Sequence, residues 1–195
     1  AKFPVLNMLN TRYVIFPAAE DGRTVPLQNP HALGNAWFVR HVQYVANADE
    51  EIDALSALRP AETAVVDARF RDALQGMEQA PADSLGTIRQ TVYEPNRLVY
   101  ETDNAADGVA VFSEIYYPDG WQVTIDGQPA ELARANYVLR ALRIPAGRHT
   151  VEMHFDPQSL HVTEGIAYAG LSLLAVGALA AVGLGIRRRR KEAEA

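Results

Sequence analysis

Residues 165–186 read GIAYAGLSLLAVGALAAVGLGI, twenty-two positions without a charge, and Arg187-Arg188-Arg189-Arg190-Lys191 follows directly. A helix over this stretch is roughly 33 Å long at ~1.5 Å per residue, enough to cross the hydrocarbon core of a bilayer. Soluble helices rarely keep every face apolar for so many turns before releasing a block of cations. The stretch therefore predicts a transmembrane helix over 164–186 and a basic tail over 187–195. Cations gather on the cytoplasmic side of a span, which places the tail in the cytoplasm and the bulk of the chain outside.

That orientation requires export. The chain opens Ala-Lys-Phe-Pro-Val-Leu-Asn, and no early apolar run has the length of a signal h-region. Either an export signal has been removed or, the favoured expectation, this is a C-terminal piece of a longer membrane protein. Gly177, Ala181 and Gly185 recur at four-residue spacing within the span. Such a stripe lets another transmembrane helix of the parent protein approach closely, although Gly and Ala are common in membrane helices in any case.

Net charge is −6 over 195 residues; the tail from Arg187 onward contributes +3, leaving −9 on the remainder. So acidic a surface, without a basic patch interleaved with aromatics, excludes nucleic acid as a partner and is repelled by anionic headgroups. Cysteine is absent, which removes disulfides, thiol nucleophiles and Cys-ligated zinc.

Working outward from the span, two further regions separate by pattern. Residues 87–156 carry short apolar runs divided by turns at Glu94-Pro-Asn96, Asp103–Gly108, Pro118-Asp-Gly120, Asp126-Gly127 and Pro145-Ala-Gly147. Six or seven short strands at that spacing predict an antiparallel β-sandwich. Residues 1–80 mix strands with short helices. Tyr13–Phe16 reads as a buried strand before a turn at Asp21-Gly22, and Trp37–Val45 as another strand. Asn47 with Glu50 reads as a capping box opening a helix that buries Ile52, Leu55 and Leu58. Thr63–Val66 reads as a strand, Arg69–Gln79 as a second helix, and 80–86 as a linker. The fold class expected is α+β, mainly β: a small mixed α/β subdomain, the sandwich, and one C-terminal transmembrane helix.

Common catalytic patterns are missing from the sequence. It holds no Gly-x-Ser-x-Gly elbow, no His-Glu-x-x-His pair, no phosphate-binding Gly loop and no dinucleotide fingerprint. His149 and His154 stand an odd number of positions apart, on opposite faces of a strand, so they are not expected to share a metal. Pairs such as Glu50-Glu51 read as a solvated helix face. No catalytic residue, metal site or cofactor is expected.

The densest cluster of unusual residues is Ser113–Trp121, then Ile125-Asp126-Gly127, then Arg134–Arg140. Two readings stand side by side. Tyr117 and Trp121 stack on a sugar ring while Asp126 or Asn136 bonds its hydroxyls; or Ser113, Glu114, Gly120, Gly127, Arg140 and Gly147 form a turn-and-core motif with Trp121 inside the sandwich. Arg140 is then expected to satisfy a buried or edge carboxylate.

With this cluster the chain resembles the YfhO-type bacterial membrane proteins. Leu6–Asn10 with Arg12–Ile15, Asn29-Pro30, Leu33–Phe38, Arg140-Ala-Leu, Ile144–His149 and Phe155-Asp-Pro157 carry the resemblance. It implies a large polytopic protein of the bacterial cytoplasmic (inner) membrane with an extracytoplasmic C-terminal region and a last helix returning to the cytoplasm. It further implies kinship with glycosyltransferases that use lipid-linked sugars on cell-envelope polymers, with catalytic carboxylates in an earlier loop. This chain is then the non-catalytic part, stabilising the membrane core or positioning the acceptor. Its expected partners are the lipid bilayer, other helices of the parent, and envelope glycan or lipid-linked sugar. The alternative is a single-span surface adhesion or scaffold protein whose sandwich binds a protein partner.

Overall fold

The computed structural model describes residues 3–17, 23–80 and 85–193, with side chains to Arg187. It divides into two compact units, one ending at Phe155 and one beginning at Asp156. The expected turn at Asp21-Gly22 and most of the linker at 80–86 lie outside the described residues.

The first unit is built on two antiparallel sheets. The elements are α1 (Pro4–Met8), β1 (Tyr13–Pro17), β2 (Thr24–Gln28), β3 (Ala36–Val39), β4 (His41–Val45), α2 (Ala48–Ala54) and β5 (Thr63–Asp67). There follow β6 (Thr87–Glu94), β7 (Arg97–Asn104), β8 (Gly108–Ile115), β9 (Trp121–Ile125), β10 (Gln128–Ala130), β11 (Ala133–Ala135), β12 (Leu139–Ile144) and β13 (Gly147–Phe155). One sheet runs β10-β9-β13-β7-β6 and the other β11-β12-β8-β3. Alternation along the strands sends Leu98, Tyr100, Val123, Val151 and Met153 of the first against Phe38, Ala110, Phe112, Leu142 and Ile144 of the second. These residues are the sandwich core.

The same alternation gives the four-stranded sheet a second buried face. Val39, Val109, Val111, Leu139 and Ala141 pack there against Val42, Leu55, Leu58, Val65 and Leu74. Segments 1–80 and 87–156 thus share a sheet, because β3 pairs with β8 from Ala36↔Phe112 to Val39↔Val109.

Several local expectations need correcting. Trp37–Val45 is two strands, not one. The N–H groups of Arg40 and His41 both donate to the Glu62 carbonyl, and beyond them β4 leaves the sandwich to pair in parallel with β5. Arg69–Gln79 is not a helix. A 3-10 turn at Ala68–Phe70 leads to Gln75 and Gly76 at φ +52° and +68°, which reverse the chain so that Glu78 and Ala80 bond β4 and its flank. Burying Leu74 and returning to that edge outweighs a helix of modest propensity. The α2 capping box forms: Asn47 Oδ1 accepts from Glu50 N–H at 3.0 Å, and Glu50 reaches back to Ala46 N–H. Its buried face is rotated, however. Ile52 is exposed and Glu51 is buried. Tyr13–Phe16 is a strand but not a buried one; among the described residues β1 pairs only with β2, and both lie open to solvent.

The second unit is dominated by α3 (Gln158–Ala193), whose residues from Gln158 to Arg187 are apolar and long enough to span a bilayer. None of that stretch is buried by the rest of the protein. Gly177, Ala181 and Gly185 lie on it, with nothing packed over either glycine.

Candidate functional site

After β8 the chain turns through Tyr116–Gly120 into β9, whose hairpin with β10 closes at Asp126-Gly127. Both turn residues have positive φ, +51° and +79°, as a two-residue hairpin loop requires. A groove of about 440 Å³ lies along this hairpin, lined by Tyr117, Trp121, Gln122, Pro129 and Glu131 among others. Tyr117 is exposed, and its ring lies 6.5 Å from that of Phe155; Trp121 lies 5.3 Å from the same ring. Trp121 is also half-buried against the sandwich core. Its ring therefore serves the core and borders the groove at once.

Arg140 lies beneath that ring, its guanidinium carbon 4.0 Å from the Trp121 centroid. It is almost wholly buried, donates from Nε to the Ile115 carbonyl at 3.0 Å and reaches the Met153 sulfur. Its hydrogen-bond partners are thus a carbonyl and a thioether, and Glu114 acts on it through charge. Burial pushes the Glu114 carboxyl above the usual range, and the charge of Arg140 pulls it part of the way back. Burial likewise lowers Arg140, which Glu114 and then Tyr100 oppose. The guanidinium stacked on the indole face fixes Trp121 from behind. Ser113 completes the motif by bonding the Met8 carbonyl. Gly120 and Gly147 take φ +94° and +125° at the two turns.

Two of the four candidate sugar contacts are placed elsewhere. Asn136 is completely buried; its Oδ1 accepts from Val65 N–H at 2.9 Å while its own N–H donates to the Val65 carbonyl at 2.7 Å. It ties the β11–β12 turn to β5 and cannot reach a surface ligand. Asp126 is exposed, but its two carboxylate oxygens are engaged by His149 Nδ1 at 2.6 Å and Thr150 N–H at 2.8 Å. The His149 bond is the larger cause holding the Asp126 carboxyl below its ordinary range, and the same bond raises His149. Only Tyr117 and Trp121 border the groove. No cluster of three or more His, Asp or Glu able to hold a metal occurs among the described residues.

Sequence reasoning missed the most buried charge. Glu51, read as part of a solvated face, is 0 % exposed. Its carboxylate meets Arg134 at 2.6 Å and accepts from Tyr137 N–H at 2.8 Å, with Asp67 3.9 Å from the same guanidinium. Asn136 and Tyr137 both take left-handed φ, +50° and +71°, so this turn is strained and needs outside support. Glu51 and Val65 supply it. The signal available was an arginine, an asparagine and a tyrosine crowded at one turn, but nothing local named α2 as their partner.

No curated protein and no solved structure matches the chain. Residues 72–167 match the family model described as bacterial membrane protein YfhO. That range holds the groove, Arg140 and the supported turn, and it enters α3; the resembling blocks between Leu6 and Phe38 lie outside it. Residues 72–167 are thus similar to the YfhO-type bacterial membrane protein domain, and α3 is long and apolar enough to cross a bilayer.

Proposed function

We propose that the unit ending at Phe155 is a non-catalytic accessory domain on the extracytoplasmic face of the bacterial cytoplasmic membrane. It holds or orients an envelope glycan for a glycosyltransferase core in the same protein. Support comes from the family match, from the apolar helix with its cationic end, and above all from the groove. There an exposed Tyr117 stands beside an indole held in place by Arg140. Rigid aromatic rings flanked by Gln122 and Glu131 suit the apolar face and hydroxyl rim of a sugar.

The test is binding of envelope polysaccharide fragments to the full chain in detergent, compared with Tyr117→Ala. The exposed ring is removable without opening the core, so the variant should keep its unfolding midpoint and bind at least about tenfold more weakly, the ~1.4 kcal/mol expected of one stacked ring. Equal binding by both proteins rejects the groove, and sugar transfer by this chain alone rejects the accessory role.

A further inference from the structure

The β1–β2 hairpin has no buried face. In its register Val14 lies opposite Leu27 and Phe16 opposite Val25, a side made only of apolar residues. Tyr13, Ile15 and Pro26 are on the other side. Tyr13 is 60 % exposed, Ile15 68 % and Leu27 52 %. An isolated two-stranded hairpin is marginal in water unless a face packs on something else, and here the apolar side chains lie open.

Its base is nevertheless fixed. Asn29 Nδ2 donates to Asn7 Oδ1 and to the Thr11 carbonyl, both at 2.9 Å, and Asn29 N–H donates to the Arg12 carbonyl at 2.8 Å. Asn10 Nδ2 in turn donates to Asn35 Oδ1 at 2.8 Å, joining this base to the residue before β3. The asparagines of the N-terminal blocks hold the hairpin rigidly at its root while its apolar body projects.

We infer that this hairpin seats in the headgroup–acyl boundary of the bilayer that α3 crosses, as a second, shallow anchor for the domain. Three observations favour lipid over protein. First, a chain whose helix spans a bilayer keeps that bilayer at high effective concentration for any other apolar surface able to reach it. Second, residues 12–28 contain Arg12, Arg23, Glu20 and Asp21 and are neutral overall, within a region that carries −9. The hairpin is thus an apolar exception on a surface that headgroups otherwise repel. Third, Pro17 and Pro26 lack the N–H groups that an added strand from a second copy would use. The free strand edges forbid the hydrocarbon core and set the depth at the interface, where Tyr13 and Arg12 are suited to the headgroups.

The inference rests on α3 being inserted, and one experiment reports on both. The chain has no cysteine, so Phe16→Cys or Leu27→Cys carries a single environment-sensitive fluorophore on the full chain in phosphatidylcholine vesicles, with Gln128→Cys as the solvent control. Flotation that survives alkaline carbonate reports α3, because a shallow interfacial anchor by itself would be stripped. Among floating protein, labels at 16 and 27 should shift to the blue and be quenched more by shallow than by deep spin-labelled lipid, while the label at 128 answers only to aqueous iodide. Iodide quenching at 16 and 27 equal to that at 128 overturns the hairpin anchor and leaves α3 standing. Labels shielded from iodide and lipid alike mean that a second copy or another protein surface covers the hairpin, which also overturns it. Protein that fails to float rejects the insertion of α3 itself.

Discussion

Strands β1 and β8 look alike in sequence and sit in opposite surroundings. Tyr13-Val-Ile-Phe16 and Val109-Ala-Val-Phe112 are both short apolar runs bounded by polar or turn residues. In β8 every one of the four is buried, with Phe112 packed edge-on against Tyr100 at 4.9 Å. In β1 Tyr13, Ile15 and Phe16 are exposed. An apolar run records that a segment needs an apolar neighbour; it does not record whether that neighbour belongs to the same chain. Apolar residues of α3 make the same point, since none of its span is buried by the rest of the protein. Two apolar segments are therefore left uncovered, the pattern of surfaces that meet a partner or a membrane.

The contrast yields graded effects. Phe112→Ala removes a wholly buried ring between the two sheets and should cost about 3–5 kcal/mol, read as a lowered urea midpoint of the full chain in detergent. Glu51→Ala leaves Arg134 without its closest carboxylate and Tyr137 N–H without its acceptor, and should cost about 3 kcal/mol. Glu51→Gln keeps an acceptor for that N–H and should lose less. If Glu51→Ala unfolds at the parent's midpoint, the turn at Asn136-Tyr137 does not depend on α2.

A smaller effect belongs to the β9–β10 hairpin, which is tied at its tip to a neighbouring strand. His149 is raised by its bond to Asp126, so its stabilisation is complete below about pH 6.5 and is lost as pH rises through the elevated folded value. Asp126 is depressed, so its share is present above about pH 3.9 and is lost as pH falls through the lowered folded value. The advantage of the parent over Asp126→Asn should therefore peak between these limits and shrink on both sides, as a series of unfolding curves across pH would reveal. The smallest effect is Phe16→Ala, expected to shift the midpoint by less than about 0.5 kcal/mol because no core surrounds that ring. A loss matching that of Phe112→Ala would erase the contrast between the two strands.

Much of this architecture was legible where pattern and burial coincide. The β9 limits were read directly, and β7, β8 and β13 fall where alternation and Gly- or Pro-centred turns place them. Reading failed where distant residues decide. Glu51 lies among four acids at the start of α2, and only the left-handed turn more than eighty residues away makes its burial stable. The break at Arg40 is invisible locally because Trp37–Val45 is uniformly strand-like, and the Glu62 carbonyl that divides it lies beyond α2. Asn136 resembled a surface ligand because asparagine at a turn usually is exposed; its partner, Val65, carries no sequence mark of that role. The groove was half legible: Tyr117 and Trp121 stood out, whereas the stacking of Arg140 on the indole left no mark in the sequence.

The central claim is that α3 threads the membrane with its arginines in the cytoplasm and the sandwich on the far side. Single cysteines at Gln128 and at Ala195, in a chain otherwise free of thiols, test it in intact cells with an impermeant maleimide. The account predicts labelling at 128 and none at 195 until the membrane is opened. Labelling at 195 with protection at 128 would reverse the topology, and equal labelling only after lysis would leave the whole chain inside.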